Sequence, residues 1–296
     1  MFKKSKQKST QAASNPFFAS ADPKVRTLLG KVTELLQDQK KTADIISEAE
    51  FGVSSQWGED GIIQHLLRHI SIPNKVFVEF GVENYQEANT RWLVEGHNWS
   101  GLVLDGSQQH VDAIKSDPIY WKHQLKAVSA FVSVDNINRL ISENGISGDI
   151  GLLSVDIDGM DYWVWKAIDV VTPAIVIVEY NSLFGPTKSV TVPYDSGFVR
   201  QKAHYSWSYY GASLAALVGL GKAKGYFFVG SNSAANNAFF VKSNLLHPPL
   251  KELTAQEGYV QRAFREARDR EGKLMFPSFQ EEAALIAGLP LVEVPA

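Results

Sequence analysis

The chain has 296 residues, of which 45% are hydrophobic and 21% are charged, with a formal net charge of −3. This composition excludes a disordered protein and a collagen-like repeat, and the absence of cysteine excludes disulfides, thiolate nucleophiles and cysteine-ligated zinc. The charge balance gives no overall positive field of the kind that binds nucleic acid, so no nucleic-acid partner is expected. The length is sufficient for one large α/β domain or two small ones.

The N-terminal region divides into a basic tail and a helix. Residues 1–22 are polar, with four lysines among the first eight residues, which predicts a disordered tail. A weak contact of these lysines with a membrane surface is the alternative to a solvated terminus. Residues 23–50 are interpreted as a helical extension, because Pro23 suits a first turn and apolar residues follow at helical spacing. This extension would serve as a lid or as a contact in a homo-oligomer.

Targeting signals are not apparent in the sequence. No apolar signal region follows the basic start, and no apolar stretch is long enough to span a bilayer. We therefore expect a cytoplasmic protein, peripheral at most to the inner face of a membrane.

Short apolar runs alternate with amphipathic segments along residues 51–245. The predicted strands cover 75–81, 101–105, 125–129, 151–156 and 174–179, and the predicted helices lie near 59–70, 86–96, 107–115, 135–144, 161–169 and 211–223. Strands that are apolar throughout and alternate with helices indicate a parallel sheet covered on both faces. Two further runs, at 225–230 and 237–242, predict a hairpin that closes the sheet.

Two segments outside this alternation have their own signals. Residues 181–210 have little periodicity and many aromatic residues, and a long loop of this kind is usually functional. Residues 246–296 are interpreted as a C-terminal helical extension. Thr254 with Glu257 predicts the start of a helix over 254–271, and Ser278 with Glu281 repeats the same capping-box spacing.

Four predicted strands end in a carboxylate. These residues are Glu79, Asp105, Asp156 and Glu179. In an open parallel sheet, ligands bind outside the carboxyl ends of the strands. Carboxylates gathered there repel one another unless a ligand or a cation uses them, so this edge is the expected site.

The first two of these strand ends fit a nucleoside. Gly81 allows a tight turn against a ligand, and Asp105, followed by Ser107, can accept hydrogen bonds from both ribose hydroxyls. The phosphate-binding pattern G-x-G-x-x-G is absent after the first strand, which argues against NAD or FAD. A nucleoside without phosphates, such as S-adenosylmethionine, is favoured over the alternative of a plain turn glycine with solvated acids.

The segment SVDIDGMDYWVW (154–165) predicts a cation site. Asp156 and Asp158 stand two residues apart, so an extended backbone points them the same way, and with Glu179 they could hold Mg²⁺ or another divalent cation. Asp161 is better explained as a helix cap than as a ligand. His204, in the aromatic loop, is a candidate general base, with polar surface as the alternative.

Several segments occur in the order of a known family. They are SQWGEDGII (55–63), VFVEFG (76–81), WSGLVLDG (99–106), SVDIDGMDYWVW (154–165), VIVEYNS (176–182) and KGYFFVG (224–230). Over roughly residues 51–242 the chain resembles the FkbM-like class I S-adenosylmethionine-dependent methyltransferases, closest to the bacterial branch associated with surface polysaccharide and secondary-metabolite modification. The collinear set is much more specific than any one motif.

The resemblance implies a fold and a set of site residues. The fold is a Rossmann-like class I methyltransferase fold: a mostly parallel seven-stranded sheet with helices on both faces and an antiparallel C-terminal hairpin. The residues that match cofactor positions are Gln56, Asp60, Glu79, Gly81 and Asp105, and Asp156 matches the position beside the transferring methyl group. The family pattern there is closer to D-x-E-G, whereas this chain has Asp158 in place of the glutamate.

The resemblance also implies an activity. It is transfer of a methyl group from S-adenosylmethionine to a sugar hydroxyl of a surface polysaccharide, glycolipid or glycosylated metabolite. Asp156 is the first candidate for the base or metal ligand, followed by His204 and Glu179. The alternatives are a nucleotide-sugar-dependent transferase, an NAD-dependent oxidoreductase, and a non-catalytic binding protein that acts as a scaffold in glycan assembly.

Overall fold

The computed structural model describes residues 22–39 and 45–296, so the disorder predicted for residues 1–22 falls almost entirely outside the described residues. Seven strands form one sheet in the order β3-β2-β1-β4-β5-β8-β7, and β6 pairs with β9 in a separate ribbon. The strands are β1 Val76–Phe80, β2 Ser100–Asp105, β3 Leu125–Ser129, β4 Gly148–Val155, β5 Val171–Glu179, β6 Val190–Thr191, β7 Tyr226–Ser231, β8 Asn237–Lys242 and β9 Val292–Glu293.

Strand direction confirms the predicted fold class. Strands β1 to β5 pair in parallel, β8 is antiparallel to β5, and β7 is antiparallel to β8. The hairpin predicted from 225–230 and 237–242 is therefore present, and it closes one side of the sheet. The result is a mostly parallel, Rossmann-like seven-stranded sheet.

Helices cover both faces of the sheet. They are α1 Pro23–Gln39, α2 Glu59–His69, α3 Arg91–His97, α4 Gln108–Ser116, α5 Pro118–Lys122, α6 Ile137–Glu143, α7 Asp161–Ala167, α8 Arg200–Ala203, α9 Leu214–Ala223, α10 Ala255–Gly258 and α11 Phe279–Ile286. Single 3₁₀ turns occur at Ile46–Ala49, Ser182–Phe184 and Ser243–Leu245. None of the helices within the described ranges is both long and apolar enough to cross a bilayer.

A separate hydrophobic core lies on each face of the sheet. One core includes Val78, Leu153, Val176, Trp165 of α7 and Leu217 of α9, and the other includes Phe77, Leu152, Ile177, Ile62 of α2 and Leu93 of α3. Successive side chains of a strand point to opposite faces, so a strand buried on both faces is apolar at nearly every position. This explains why the strands are recognisable in the sequence as continuous apolar runs.

One predicted helix begins later than its sequence pattern indicates. The prediction was a helix over 86–96, but α3 begins at Arg91. The Glu79 carboxylate at the end of β1 accepts hydrogen bonds from the backbone N–H groups of Asn89 and Thr90. These N–H groups are thereby fixed just before the helix, and the residues from 81 to 90 form a loop at the edge of the sheet.

The helix predicted over 254–271 is wrong beyond its first turn. The capping box between Thr254 and Glu257 is present, but α10 ends at Gly258. A Cβ atom added to Gly258 would lie 2.3 Å from the Phe228 ring, so the chain there fits closely against β7. Residues 259–266, called the C-terminal strap below, then run irregularly across the end of β5. The second predicted capping box, at Ser278 and Glu281, is confirmed at the start of α11.

Candidate active site

The carboxyl ends of β1, β2, β4 and β5 meet at one edge of the sheet, because these strands are parallel neighbours. The four predicted strand-end carboxylates therefore lie along this edge, in the spatial order Asp105, Glu79, Asp156 and Glu179. Their environments differ, however. Some of these carboxylates are used by hydrogen bonds within the protein, and others have oxygens that a ligand could use.

Glu79 is occupied by the protein itself. The side chain is 4% exposed, and its oxygens accept hydrogen bonds from Asn89 N at 2.9 Å, Thr90 N at 3.1 Å and Thr90 Oγ1 at 2.5 Å. Burial raises the pKa of Glu79 to about 7, although these donors oppose the shift. Glu79 therefore positions the loop before α3, and its role at the cofactor stays a prediction.

This buried carboxyl group makes the stability of the protein depend on pH. An acid whose pKa is higher in the folded state binds its proton more tightly there, so stability is lost as pH rises from about 4.5 through about 7. We expect the Glu79→Gln variant to lose less unfolding free energy than the wild type between pH 5 and pH 8, by about 3 kcal/mol at most. Urea unfolding at both pH values measures this difference. Glu143→Gln, which removes an exposed carboxylate, is the control. An equal change in unfolding free energy between pH 5 and pH 8 in all three proteins would contradict the raised pKa of Glu79.

Gly81 and Asp105 lie at the adjacent carboxyl ends of β1 and β2, where Gly81 N donates to the carbonyl oxygen of Leu104 at 2.9 Å. Gly81 has φ +70°, and a Cβ atom added to it would lie 1.7 Å from the carbonyl oxygen of Asp156. The Asp105 carboxylate accepts hydrogen bonds from Glu83 N and Ser107 N, both at 2.8 Å, and lies 3.0 Å from His110 Nδ1. A carboxylate has about four lone-pair positions. Asp105 therefore retains capacity for one ribose hydroxyl, and for both only if His110 turns away.

The loop before α2 is organised around Asp60. Its carboxylate Oδ2 accepts hydrogen bonds from the backbone N–H groups of residues 53, 54 and 55 at 2.7–2.8 Å. Burial raises the pKa of Asp60 to about 6. Asp60, a predicted cofactor residue, thus shapes the loop, whereas Gln56 is exposed at its tip. Glu59 ties the same loop to the β7–β8 hairpin by accepting hydrogen bonds from Asn232 and Asn237.

Asp156 and Glu179 meet at the ends of β4 and β5. With Asp161 they form a cluster in which one carboxylate oxygen of each lies within 4.8 Å of the others. Glu179 is 6% exposed, and its Oε2 is buried without a hydrogen-bond partner. Burial, followed by repulsion from neighbouring carboxylates, raises the pKa of both Asp156 and Glu179 well above the usual range. A proton or a cation shared by the two carboxylates would relieve this repulsion.

Asp161, and not Asp158 as predicted, lies beside Asp156 and Glu179. Asp161 joins the cluster, although its two oxygens also accept hydrogen bonds from Ile157 N at 2.8 Å and Gly159 N at 2.9 Å. It organises the turn before α7, but the predicted capping role is wrong, because the N-cap residue is Met160 and no side chain caps this helix. Asp158, a predicted metal ligand, has φ +58° and directs its carboxylate to Arg200 instead.

Arg200 provides positive charge beside the cluster. Its guanidinium is 2.9 Å from Asp158 Oδ1 and 2.6 Å from Glu266 Oε2, and Nε donates to the carbonyl oxygen of Trp207 at 2.6 Å. The guanidinium also stacks on the Tyr210 ring at 3.8 Å from its centroid. Electrostatic attraction to Arg200 opposes the upward pKa shift of Asp156, so this arginine partly balances the acidic edge.

His204 is held by its own loop. Its Nδ1 lies 2.7 Å from Ser206 Oγ, and its ring packs on Tyr205 at a centroid distance of 4.3 Å. Burial, followed by repulsion from Arg270, lowers the pKa of His204, so the ring is neutral at pH 7. In the described part of the chain, no hydrogen bond or ion pair joins His204 to Asp156 or Glu179. Its role as a base stays a prediction.

The C-terminal strap covers the outer side of this edge. Tyr259 Oη donates to the carbonyl oxygen of Ser182 at 2.8 Å, and Arg262 N donates to Ser182 Oγ at 3.3 Å. Further along the strap, the Phe264 ring stacks on Trp57 from the loop before α2, with centroids 5.6 Å apart. The strap thus connects the two ends of the site and contributes Glu266 to it.

Arg200, Trp57 and the strap residues are not among the site residues predicted from the sequence. Arg200 is the one arginine among residues 181–210, in a loop already expected to be functional, and a buried group of carboxylates requires a nearby cation. That combination was a usable signal. No comparable signal indicates Phe264 or Glu266, because the sequence pattern around them predicts a helix.

Comparisons with known proteins give no family assignment. No protein-family model matches the chain, and no curated protein matches it. Among solved structures with a similar course of the chain is an O-methyltransferase from Bacillus cereus in complex with SAH, with 12% identity and a TM-score of 0.38 over 73% of this chain and 89% of that chain. The N-terminal domain of EvdMO1 with SAH bound has 10% identity and a TM-score of 0.40 over 75% of this chain and 96% of that chain. M. capricolum TrmK in complex with SAH has 10% identity and a TM-score of 0.33 over 67% of this chain and 74% of that chain. At these identities and TM-scores, the ligands and activities of those proteins cannot be transferred to this chain.

Proposed function

We propose that this protein is an S-adenosylmethionine-dependent O-methyltransferase of the FkbM-like type that acts on a sugar hydroxyl. The observation that carries the proposal is the edge of the sheet, where the strand ends at Gly81 and Asp105 adjoin the Asp156–Glu179 pair. Ligands of open parallel sheets bind at this edge. The order of the strands and the collinear motifs of residues 51–242 support the same assignment.

The donor side of the site is the β1–β2 edge. S-adenosylmethionine supplies a methyl group on a sulfonium, which an oxygen nucleophile attacks in line. The Asp105 carboxylate, fixed by Glu83 N and Ser107 N, would accept a hydrogen bond from a ribose hydroxyl. The close contact of Gly81 with the Asp156 carbonyl group places this turn directly beside the acidic pair. Donor and acceptor positions are therefore adjacent, as an in-line transfer requires.

The acceptor side is the Asp156–Glu179 pair. When the acceptor oxygen forms its bond to the methyl carbon, the carbon–sulfur bond breaks and the hydroxyl proton must leave. Asp156 is partly exposed at this edge, so in its carboxylate form it could accept that proton. Arg200, stacked on the buried Tyr210 ring, places a positive charge beside the pair.

The proposal includes a divalent cation at the same pair. Mg²⁺ prefers oxygen ligands, and the unpartnered Oε2 of Glu179 together with Asp156 provides two carboxylates for it. A cation there would lower the pKa of a bound hydroxyl. Asp161 contributes charge, but its oxygens are already used by backbone N–H groups.

Calorimetric titration of the full chain with S-adenosylhomocysteine, UDP-glucose and NAD tests the cofactor. We expect binding of S-adenosylhomocysteine and no measurable heat from the other two, because no phosphate cradle follows β1. Binding of UDP-glucose or NAD in place of S-adenosylhomocysteine would favour a glycosyltransferase or an oxidoreductase. Tight S-adenosylhomocysteine binding without methyl transfer to any glycan or glycolipid extract would favour a scaffold.

The Asp156→Asn variant tests the acceptor side. We expect methyl transfer to glycan extracts, followed with methyl-labelled S-adenosylmethionine, to fall by about 10² to 10⁴ while S-adenosylhomocysteine binding persists. The control is Asp149→Asn, on the same strand at its opposite end, where the side chain forms an exposed pair with Lys242. Full activity of Asp156→Asn with unchanged folding would remove the assigned role.

Cation binding can be measured without an assay of activity. We expect Mg²⁺ at pH 8 to raise the midpoint of thermal unfolding of the wild type, because a ligand of the native state stabilises it. The Asp156→Asn/Glu179→Gln double variant should lose this increase, whereas Asp149→Asn should keep it. Equal increases in all three proteins would mean that the ion binds elsewhere.

A further inference from the structure

Helix α1 is attached to the rest of the protein by its polar face. Arg26 Nη2 lies 2.8 Å from Glu95 Oε1, and little of either side chain is exposed. Glu34 accepts a hydrogen bond from Trp92 Nε1 at 2.7 Å. Gly30 lies against the same ring, since a Cβ atom added there would be 2.5 Å from it. These contacts fix which side of α1 faces the domain.

The opposite face of α1 is apolar and exposed. Its six large side chains are 43–63% exposed, namely Val25, Leu28, Leu29, Val32, Leu35 and Leu36. At 3.6 residues per turn they occupy one continuous stripe along the helix. An amphipathic helix of a globular protein normally turns such a stripe toward its own core. Here the orientation is reversed, and a contiguous apolar surface of this kind marks a binding face.

The sequence up to the end of α1 is strongly basic. Residues 1–39 contain seven Lys or Arg and three Asp or Glu, whereas the rest of the chain contains 22 and 29. The first eight residues hold four of these lysines and no acidic residue. Residues 1–21 lead directly into the start of α1, where Lys24 is exposed. The positive charge is therefore contiguous along the chain with the exposed apolar face.

We propose that the apolar face of α1, with the basic residues before it, binds the surface of an anionic membrane. A helix that lies in the membrane interface uses two contributions, burial of apolar side chains and attraction of lysines to anionic head groups. Both are present here. A second copy of the chain fits less well, because symmetric pairing of α1 would bring two net-positive segments together.

Vesicle sedimentation of the full chain tests this inference. We expect binding to vesicles of phosphatidylcholine mixed with phosphatidylglycerol, weakened by salt, and little binding to phosphatidylcholine alone. The Leu28→Gln/Leu35→Gln variant should bind at least about tenfold more weakly, because two apolar side chains no longer enter the interface. Deletion of residues 1–8 should weaken binding by at least about tenfold as well, because four lysines are lost.

The matched control is the Leu274→Gln/Trp121→Gln variant, which removes two exposed apolar side chains outside α1 and should bind vesicles as the wild type does. Thermal unfolding and S-adenosylhomocysteine binding of the leucine variant should be unchanged, since the altered side chains are exposed. Vesicle binding unaffected by the leucine changes, or no binding by the wild type, would overturn the proposal. A wild-type dimer that the leucine variant converts to a monomer would assign the face to a second copy. Stronger vesicle binding after deletion of residues 1–8 would assign it to the chain's own terminus.

Discussion

The Gly81→Ala variant is expected to be destabilised by about 2–5 kcal/mol, the sum of a left-handed backbone cost and an overpacking cost. Gly81 has φ +70°, and its Cβ atom would fall 1.7 Å from the Asp156 carbonyl oxygen. Relief of this overlap requires the end of β1 to move away from the end of β4. Denaturant unfolding measures the stability, and calorimetry with S-adenosylhomocysteine measures the accompanying loss of binding.

Gly272→Ala is the matched control for this prediction. Gly272 has φ +80°, and nothing lies within 4 Å of a Cβ atom added to it. Its substitution should therefore cost only the conformational part, about 1 kcal/mol. If the two variants lose the same amount of stability, the close contact between Gly81 and Asp156 is not important for the fold.

The Arg262→Met variant is expected to lose about 3–5 kcal/mol, because it leaves a buried carboxylate without its partner. Arg262 is paired with Glu282 of α11, and both side chains are nearly fully buried. Ser208 Oγ also donates to Glu282, so a hydrogen bond survives but the charge is uncompensated. Urea unfolding of the variant provides the measurement.

Two further variants distinguish the loss of the Arg262–Glu282 ion pair from the general effect that any substitution has on stability. The Arg262→Met/Glu282→Leu double variant should recover much of the stability, since it removes both charges. Arg139→Met breaks an exposed pair with Glu143 on α6 and should cost no more than about 0.5 kcal/mol. A double variant as unstable as Arg262→Met would show that the pair acts through packing alone.

The sheet was predictable from the sequence because its strands are buried on both faces. Runs such as residues 101–105 and 174–179 are apolar at nearly every position, and the helices between them have regular spacing. The strap was not predictable in this way. The capping signal at Thr254 is real, but it determines only one turn, and contacts with Phe228 and Ser182 then determine the path of the chain. Local sequence cannot indicate such long-range contacts.

The candidate site was also predictable only in part. Asp156 and Glu179 were expected together because both end parallel neighbouring strands, and the structure brings them together. Glu79 and Asp60 were expected at the cofactor, but backbone N–H groups use their carboxylates, and a sequence does not reveal which donors will surround a buried acid. Arg200 lies in a loop without periodicity, so its partners follow only from the folded arrangement.

The C-terminal strap has a consequence for the order in which the protein is completed during synthesis. All seven strands of the sheet precede residue 243, whereas Phe264, Glu266 and Glu282 are made later. A nascent chain can therefore assemble its sheet while Arg200 lacks Glu266 and Trp57 lacks its stacking partner. The contacts of Arg200 with Glu266 and of Trp57 with Phe264 therefore form only after every strand of the seven-stranded sheet has been synthesised.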